Sequence, residues 1–375
     1  MFKNLIIYRI SETWHPDLVQ LDQALAKQQF EVCGETQELS TGWVPPRGEE
    51  HGAMVESVGG HWILRLMSER KMLPASVLSR KLDEKVAHIE EAEGRKPGRK
   101  ERQELKDDCK LELLPMAFTK QAGTWVWIDP AARLLVIDAS AQGRADTVVT
   151  MLVQASPGFA VALLDTKASP QGAMAAWLHS YDAPASFSID QECELKGTDE
   201  AKAVVRYGRH PLGIDEVREH IDQGKLPTKL ALTWDDRVSF VLTEGMQLKK
   251  VELLGVVLED KPDENGFDAD VAIATGELSQ LIPDLIYALG GEGRTELGAM
   301  PQASALAPAG SGDGSQDPIY EQAVELVRAE NKGSISMVQR RLRIGYNRAA
   351  SLLEAMERSG IVSKTDVNGE RVVLT

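Results

Sequence analysis

The chain has 375 residues and a mass of 41.1 kDa, more than one hydrophobic core usually serves, so two or more domains are expected. Its 43% hydrophobic and 26% charged residues exclude a mainly disordered or fibrous chain, and no apolar run is long enough to cross a bilayer. The net charge of −15 argues on average against a nucleic-acid partner, but residues 317–375 hold nine Lys/Arg against eight Asp/Glu, and the acidic excess sits in residues 1–293. A DNA-binding body of that charge must gather its cations on one surface.

Taken in chain order, Met1–Arg9 is too short an apolar segment for a signal peptide and reads as a first strand, over Leu5–Ile10. The three cysteines, Cys33, Cys109 and Cys193, are odd in number and far apart, which disfavours a disulfide framework and fits a reducing cytoplasm. Leu78, Leu82, Val86 and Ile89 recur at helical spacing. Residues 124–128 and 134–138 predict a hairpin around Asp129-Pro130, and 229–234 with 238–243 predict a second around Asp235-Asp236. Helices are expected over 146–155, 170–180 with Ser169 as cap, 214–223, and 277–289 before Gly290-Gly291. Residues 248–254 and 269–275 read as further strands. Hairpins with interspersed helices indicate an α+β body.

Residues 294–316 form a boundary, in which Gly298–Gln316 is rich in Ala, Gly, Ser and Pro and reads as a flexible linker. Beyond it, Pro318–Ala329 predicts a helix capped by Asp317, with Ile319, Ala323, Leu326 and Val327 inward. Ser336–Gln339 reads as a capping box opening a short second helix, Gly345 as the turn, and Tyr346–Ser359 as a third helix. Strands at 361–365 and 371–374 around Asn368-Gly369 complete the order of a winged helix-turn-helix.

Catalytic motifs are absent: the seven histidines show no HExxH spacing, and there is no GxSxG or Walker A sequence. Asp268 and Asp270, at the expected start of a strand, are the one pair suited to a divalent ion in a nuclease, or are two solvent-facing carboxylates. On the third C-terminal helix, Tyr346, Ala350 and Leu353 take the core side and leave Asn347, Arg348 and Ser351 outward. Arg pairs with guanine and Asn with adenine, while Arg340 and Arg341 on the preceding helix would meet phosphates, as would Lys364 and Arg371 in the wing. In the body, residues 65–106 hold twelve basic and eight acidic residues, among them Lys96 and Arg99, and an acid-free run carries Arg206, Arg209 and His210. On charge alone, either patch reads first as a solvated face. Phe118, between Leu113-Leu114-Pro115 and a polar run, belongs to the core or to a dimer contact.

Two resemblances follow. Residues 1–293 resemble the recombination-associated RdgC family through Phe2–Leu5 with Tyr8-Arg9, Gly42–Pro46, Leu113–Pro115 with Ala117-Phe118, Trp127–Asp129, Thr228–Leu232, and Phe267–Asp270 running on to Thr275–Leu278. That resemblance implies a cytoplasmic, nucleoid-associated ring-shaped homodimer. It would enclose duplex DNA without sequence preference and restrain RecA-driven recombination, with no catalysis and no cofactor. Residues 317–375 resemble the gamma domain of the FtsK DNA translocase through Ser334–Ser336, Val338–Arg340, Ile344–Ala350 and Glu354–Glu357. Ser351 stands where that family usually has Arg, so phosphate docking is expected to survive and the base preference to weaken or change. The expectation is a double-stranded-DNA-binding homodimer away from any membrane, with a metal-dependent nuclease or a protein-interaction adaptor as alternatives.

Overall fold

The computed structural model describes every residue except 16, 200–201, 260–265, 294–316, 365–370 and 375. In order, the elements are β1 (Leu5–Ile10), α1 (Leu18–Ala26), β2 (Leu39–Val44), β3 (Glu56–Val58), β4 (His61–Met72), α2 (Ala75–Glu93) and α3 (Arg99–Leu113). A 3-10 turn at Leu114–Met116 leads into β5 (Phe118–Asp129), β6 (Leu134–Asp138), α4 (Gln142–Ala155), β7 (Val161–Leu163), α5 (Pro170–Ser180) and β8 (Phe187–Gly197). Then come β9 (Val204–Gly208), α6 (Asp215–Asp222), β10 (Lys225–Trp234), β11 (Val238–Thr243), β12 (Leu248–Leu253), α7 (Gly255–Glu259) and α8 (Phe267–Ala288). The C-terminal helices are α9 (Tyr320–Glu330), α10 (Ile335–Leu342) and α11 (Tyr346–Arg358). The contacts group them into two compact units, residues 1–24, 55–64 and 125–375 in one and 25–54 and 65–124 in the other.

The first unit is built on antiparallel pairs that run β6-β1-β12-β11-β10-β8-β9. β1 is buried along almost its whole length, as its apolar run, broken at Arg9, requires of a strand covered on both faces. Strand periodicity then sorts the sheet into two faces. Cys193, Leu195, Leu230, Leu232, Phe240, Leu242 and Leu248 point into one core with Met174 and Leu178 of α5, Val217 of α6, and Leu278, Leu281 and Leu285 of α8. The expected hairpins both form, with Leu134 to Ile137 paired to β5 and Lys229 to Trp234 paired to β11. Ser169 caps α5 through the backbone N–H of Gly172.

The expected strand at 269–275 does not form. Those residues lie inside α8, a 22-residue helix that continues through Pro283. Its apolar positions Val271, Ala274, Leu278, Leu281, Ile282 and Leu285 recur every three to four residues, a helical period that the β-like composition of 269–275 obscured.

The second unit pairs β2 with residues 65–70 of β4, and adds the helical hairpin α2–α3. Trp43 exchanges backbone hydrogen bonds with Gln28 and Phe30, which lays segment 28–30 directly on β2. A Cβ on Gly42 would overlap the Phe30 backbone, so only glycine permits that approach.

The C-terminal helices depart from expectation in their caps, their turn and their inner faces. The cap of α10 is Ser334, whose hydroxyl accepts from the Met337 N–H, while Ser336 is buried inside the helix. The left-handed residue after α10 is Arg343, and Gly345 caps α11 in an extended conformation. Buried Ala323, Val324, Val327, Val338, Ala349, Leu352, Leu353 and Met356 form their core. Ala349, not Ala350, takes the inner position on α11, and Val324 joins the inner face of α9, on which Ile319 and Leu326 are half-buried. Val362 and Val373 bridge antiparallel beside them. The expected linker 294–316 and the turn Asn368-Gly369 lie outside the described residues.

Candidate nucleic-acid interface

The sheet face opposite α5, α6 and α8 collects cations by register. On β8 the residues between the core positions are Glu192 and Glu194, on β9 Arg206, on β10 Lys229 and on β12 Lys249. Glu194 is directly opposite Arg206 on one side and Lys229 on the other, a cross-strand row of alternating charge. Arg206 Nε lies 2.7 Å and Lys229 Nζ 3.0 Å from Glu194 Oε2, and Thr228 donates its hydroxyl to Oε1 at 2.7 Å. The Arg206 hydrogen bond leads in holding the Glu194 carboxyl down at about 2, so it stays anionic throughout the useful pH range. Lys250, at a left-handed backbone position, reaches Glu192 at 2.7 Å, and Lys249 Nζ donates to the Ser140 carbonyl at 3.3 Å. Four cations thus share a concave face with two carboxylates. Lys229, Lys249 and Lys250 were missed in the sequence. The alternation of Lys229, Ala231 and Thr233 against Leu230 and Leu232 was the signal for the first.

Of the expected lining residues, Arg206 stands on this face. Arg209 and His210 follow β9 and are exposed, with His210 Nδ1 2.8 Å from the Pro211 carbonyl oxygen. Lys96 and Arg99 belong to the second unit, at the α2–α3 turn and the start of α3. Much of that patch is paired internally: Arg95 with Glu93 and Glu101, Lys96 with Glu90, and Arg102 with Asp83. Phe118 is 86% exposed and Met116 74%, so the core placement open to Phe118 is excluded. Asp268 and Asp270 lie in the first turn of α8, where carboxylates complement the helix dipole. Among the described residues no three His, Cys, Asp or Glu side chains gather to hold a metal.

The C-terminal side chains expected to face outward are engaged. Arg348 forms a two-pronged pair with Asp317, at 2.9 and 2.8 Å, and this bond leads in keeping the Asp317 carboxyl below its ordinary range. Asn347 gives its amide N–H to the Phe159 carbonyl at 3.4 Å. Arg341 is exposed and pairs with Glu330 at 2.6 Å. Arg371 is buried against Glu357 at 3.2 Å, so it does not stand in a wing as a phosphate contact. Ser351 is half-buried and Lys364 exposed. Arg340 lies over Gly245, in the turn after β11. The structure therefore does not assemble these residues into one open surface.

Comparison with known proteins places the chain in a family. Residues 1–292 match the family model described as "Putative exonuclease, RdgC", and residues 314–375 match the FtsK gamma domain. The recombination-associated protein RdgC of Dechloromonas aromatica is 44% identical over 299 residues, 78% of this chain and 98% of that protein. Its namesake in Janthinobacterium sp. is 44% identical over 296 residues, with the same shares. The one in Bordetella pertussis is 41% identical over 298 residues, 78% of this chain and 99% of that protein. The chain belongs to the RdgC family and carries an FtsK gamma domain, a winged-helix-like DNA-binding module, at its C-terminal end.

Proposed function

We propose that the chain is a non-enzymatic protein of the nucleoid that binds duplex DNA as a homodimer closed into a ring, without sequence preference, and so modulates RecA-dependent recombination. Residues 1–293 would form the encircling body and 317–375 a second DNA module, joined through 294–316, whose tethering raises local concentration without new body contacts. The observation that carries this reading is the cationic sheet face of Arg206, Lys229, Lys249 and Lys250 on a chain of net charge −15. It is the kind of local concentration of charge that duplex binding requires, because each phosphate neutralised releases counterions. Phe118 and Met116, exposed together, support a self-association surface.

A gel-shift series over salt with linear and circular duplexes, beside sedimentation, tests the reading. Steep salt dependence and a dimer are expected, and a monomer or salt-indifferent binding would sink it. The family model's description keeps a nuclease as the second reading, with Asp268 and Asp270 as its metal ligands. Residues two apart on a helix do not face each other, which weighs against their sharing one ion. Duplex left intact after incubation with magnesium or manganese is the expected result.

A further inference from the structure

The first unit presents a seat to its own C-terminal helices, and the seat takes up the groups that would read bases. Helix α4 and strand β7 lie against α10, and β7 also against α11. Tyr346, the first residue of α11, is buried, and its hydroxyl donates to the Asp146 carbonyl at 3.0 Å while standing 2.7 Å from Thr150 Oγ1. Asn347 spends its N–H on the Phe159 carbonyl, and its Oδ1 is buried without a partner among the described residues. An asparagine that reads adenine needs both of those atoms at the base edge. Arg340 is laid over Gly245, while Arg348 is held inside the module by Asp317, so the seat's direct hold is on Tyr346, Asn347 and Arg340.

We infer that the α4–β7 face is an autoinhibitory docking surface for the C-terminal module, and that base reading by α11 requires its release. The inference rests on the proposed reading of α11 as a DNA-contacting helix. The seat is built to be left. Gln339 lines the cleft beside Leu163, Glu244 and Arg340, and both its amide atoms, like Asn347 Oδ1, are buried with no partner among the described residues. Buried amide atoms without partners oppose docking, and hydrogen-bonding groups on DNA would satisfy those of Asn347 once α11 is free. Docking and base contact therefore compete for the same side-chain atoms.

The test is made on the full chain with Thr150→Glu, because Thr150 is exposed on α4 and its hydroxyl lies 2.7 Å from the Tyr346 hydroxyl, where a longer, charged side chain crowds the docked helix. Hydrogen exchange of the peptides spanning 146–155 and 346–352 is expected to rise in this variant without DNA. Thr150→Ala, which removes the contact with the Tyr346 hydroxyl and a hydrogen bond to the Asp146 carbonyl within α4 but adds no charge, should give an intermediate rise. With a short random-sequence duplex, Arg348→Ala is expected to weaken binding about tenfold in the Thr150→Glu background and much less in the otherwise native chain, as for a competent state populated roughly one time in ten. Unchanged exchange in Thr150→Glu, or an equal and appreciable cost of Arg348→Ala in both backgrounds, would overturn the inference. If exchange rises but Arg348→Ala costs nothing in either background, docking holds and the DNA reading of α11 fails, and with it the competition.

Discussion

Asp146 shows how one buried carboxyl reports on its surroundings. Burial raises it to about 6, against the pull of a hydrogen bond from Gln142 and of the cations Arg340 and Arg371, with Tyr8 and Tyr346 also facing it. The folded protein holds this proton where the unfolded chain, near 4, has released it. Stability from this group therefore falls as pH rises through about 4 to 6, and the deficit, at most about 3 kcal/mol, is complete above that window. Asp146→Asn is expected to be more stable than the native chain at pH 7.5 and to lose most of that advantage by pH 4.5, read as the difference in urea midpoints. Glu194 has the opposite sign. Its depressed carboxyl contributes stability that is present above about 4.5 and is lost as pH falls toward 2, so the two residues separate on one titration. Phe118 is the other residue with a clear forecast. Being 86% exposed, its truncation to Ala should alter the stability of the fold by no more than about 0.5 kcal/mol. At a dimer contact the same change should weaken self-association by about 2 kcal/mol or more. Sedimentation equilibrium beside thermal unfolding decides between an anchor and an idle surface aromatic.

At the scale of elements, Gly42 illustrates what a sequence motif means physically. Segment 28–30 is hydrogen-bonded to β2 through Trp43 at 2.9 Å, leaving no room for a Cβ at Gly42. Gly42→Ala must separate two backbones, not move a flexible side chain, so a loss of about 3 kcal/mol or more is expected, followed by urea unfolding through the fluorescence of buried Trp43. Most elements were legible because their patterns are local. The 229–243 hairpin shows alternation and a two-aspartate turn, and α5 shows a Ser-Pro start. Helix α8 was legible only from Glu277 onward, since Phe267–Thr275 alternates short polar and β-favouring residues, and its packing into the core reveals the helical period there. The C-terminal helices were legible as elements but not in their surroundings. No local pattern announces that Tyr346 will meet Asp146, some 200 residues away. The sheet-face lysines were hidden for the same reason: Lys249-Lys250 reads as an ordinary solvated pair until β-register sets it beside Arg206 and Lys229.

For the whole molecule the question is how a chain of net charge −15 can hold a polyanion. The average field repels DNA, but at physiological salt it is screened beyond about 8 Å, so what a bound duplex feels is the charge within roughly that distance. On the sheet face, Glu194 is committed to Arg206 and Lys229, and Glu192 to Lys250, while Lys249 donates to the Ser140 carbonyl. Arriving phosphates can take over these cations without moving the strands that carry them. Each contact that neutralises a phosphate should contribute about 0.9 to the slope of log affinity against log salt. The double variant Lys249→Ala/Lys250→Ala should therefore lower that slope by roughly two if both reach phosphates. Because both side chains leave the sheet on its solvent side, the melting temperature should barely move. Titrations of a short duplex at stepped salt concentrations, native against variant, supply the measurement. A slope unchanged in the double variant would show that duplex DNA lies on some other surface, and the acidic average would then have to be answered by cations elsewhere in the chain.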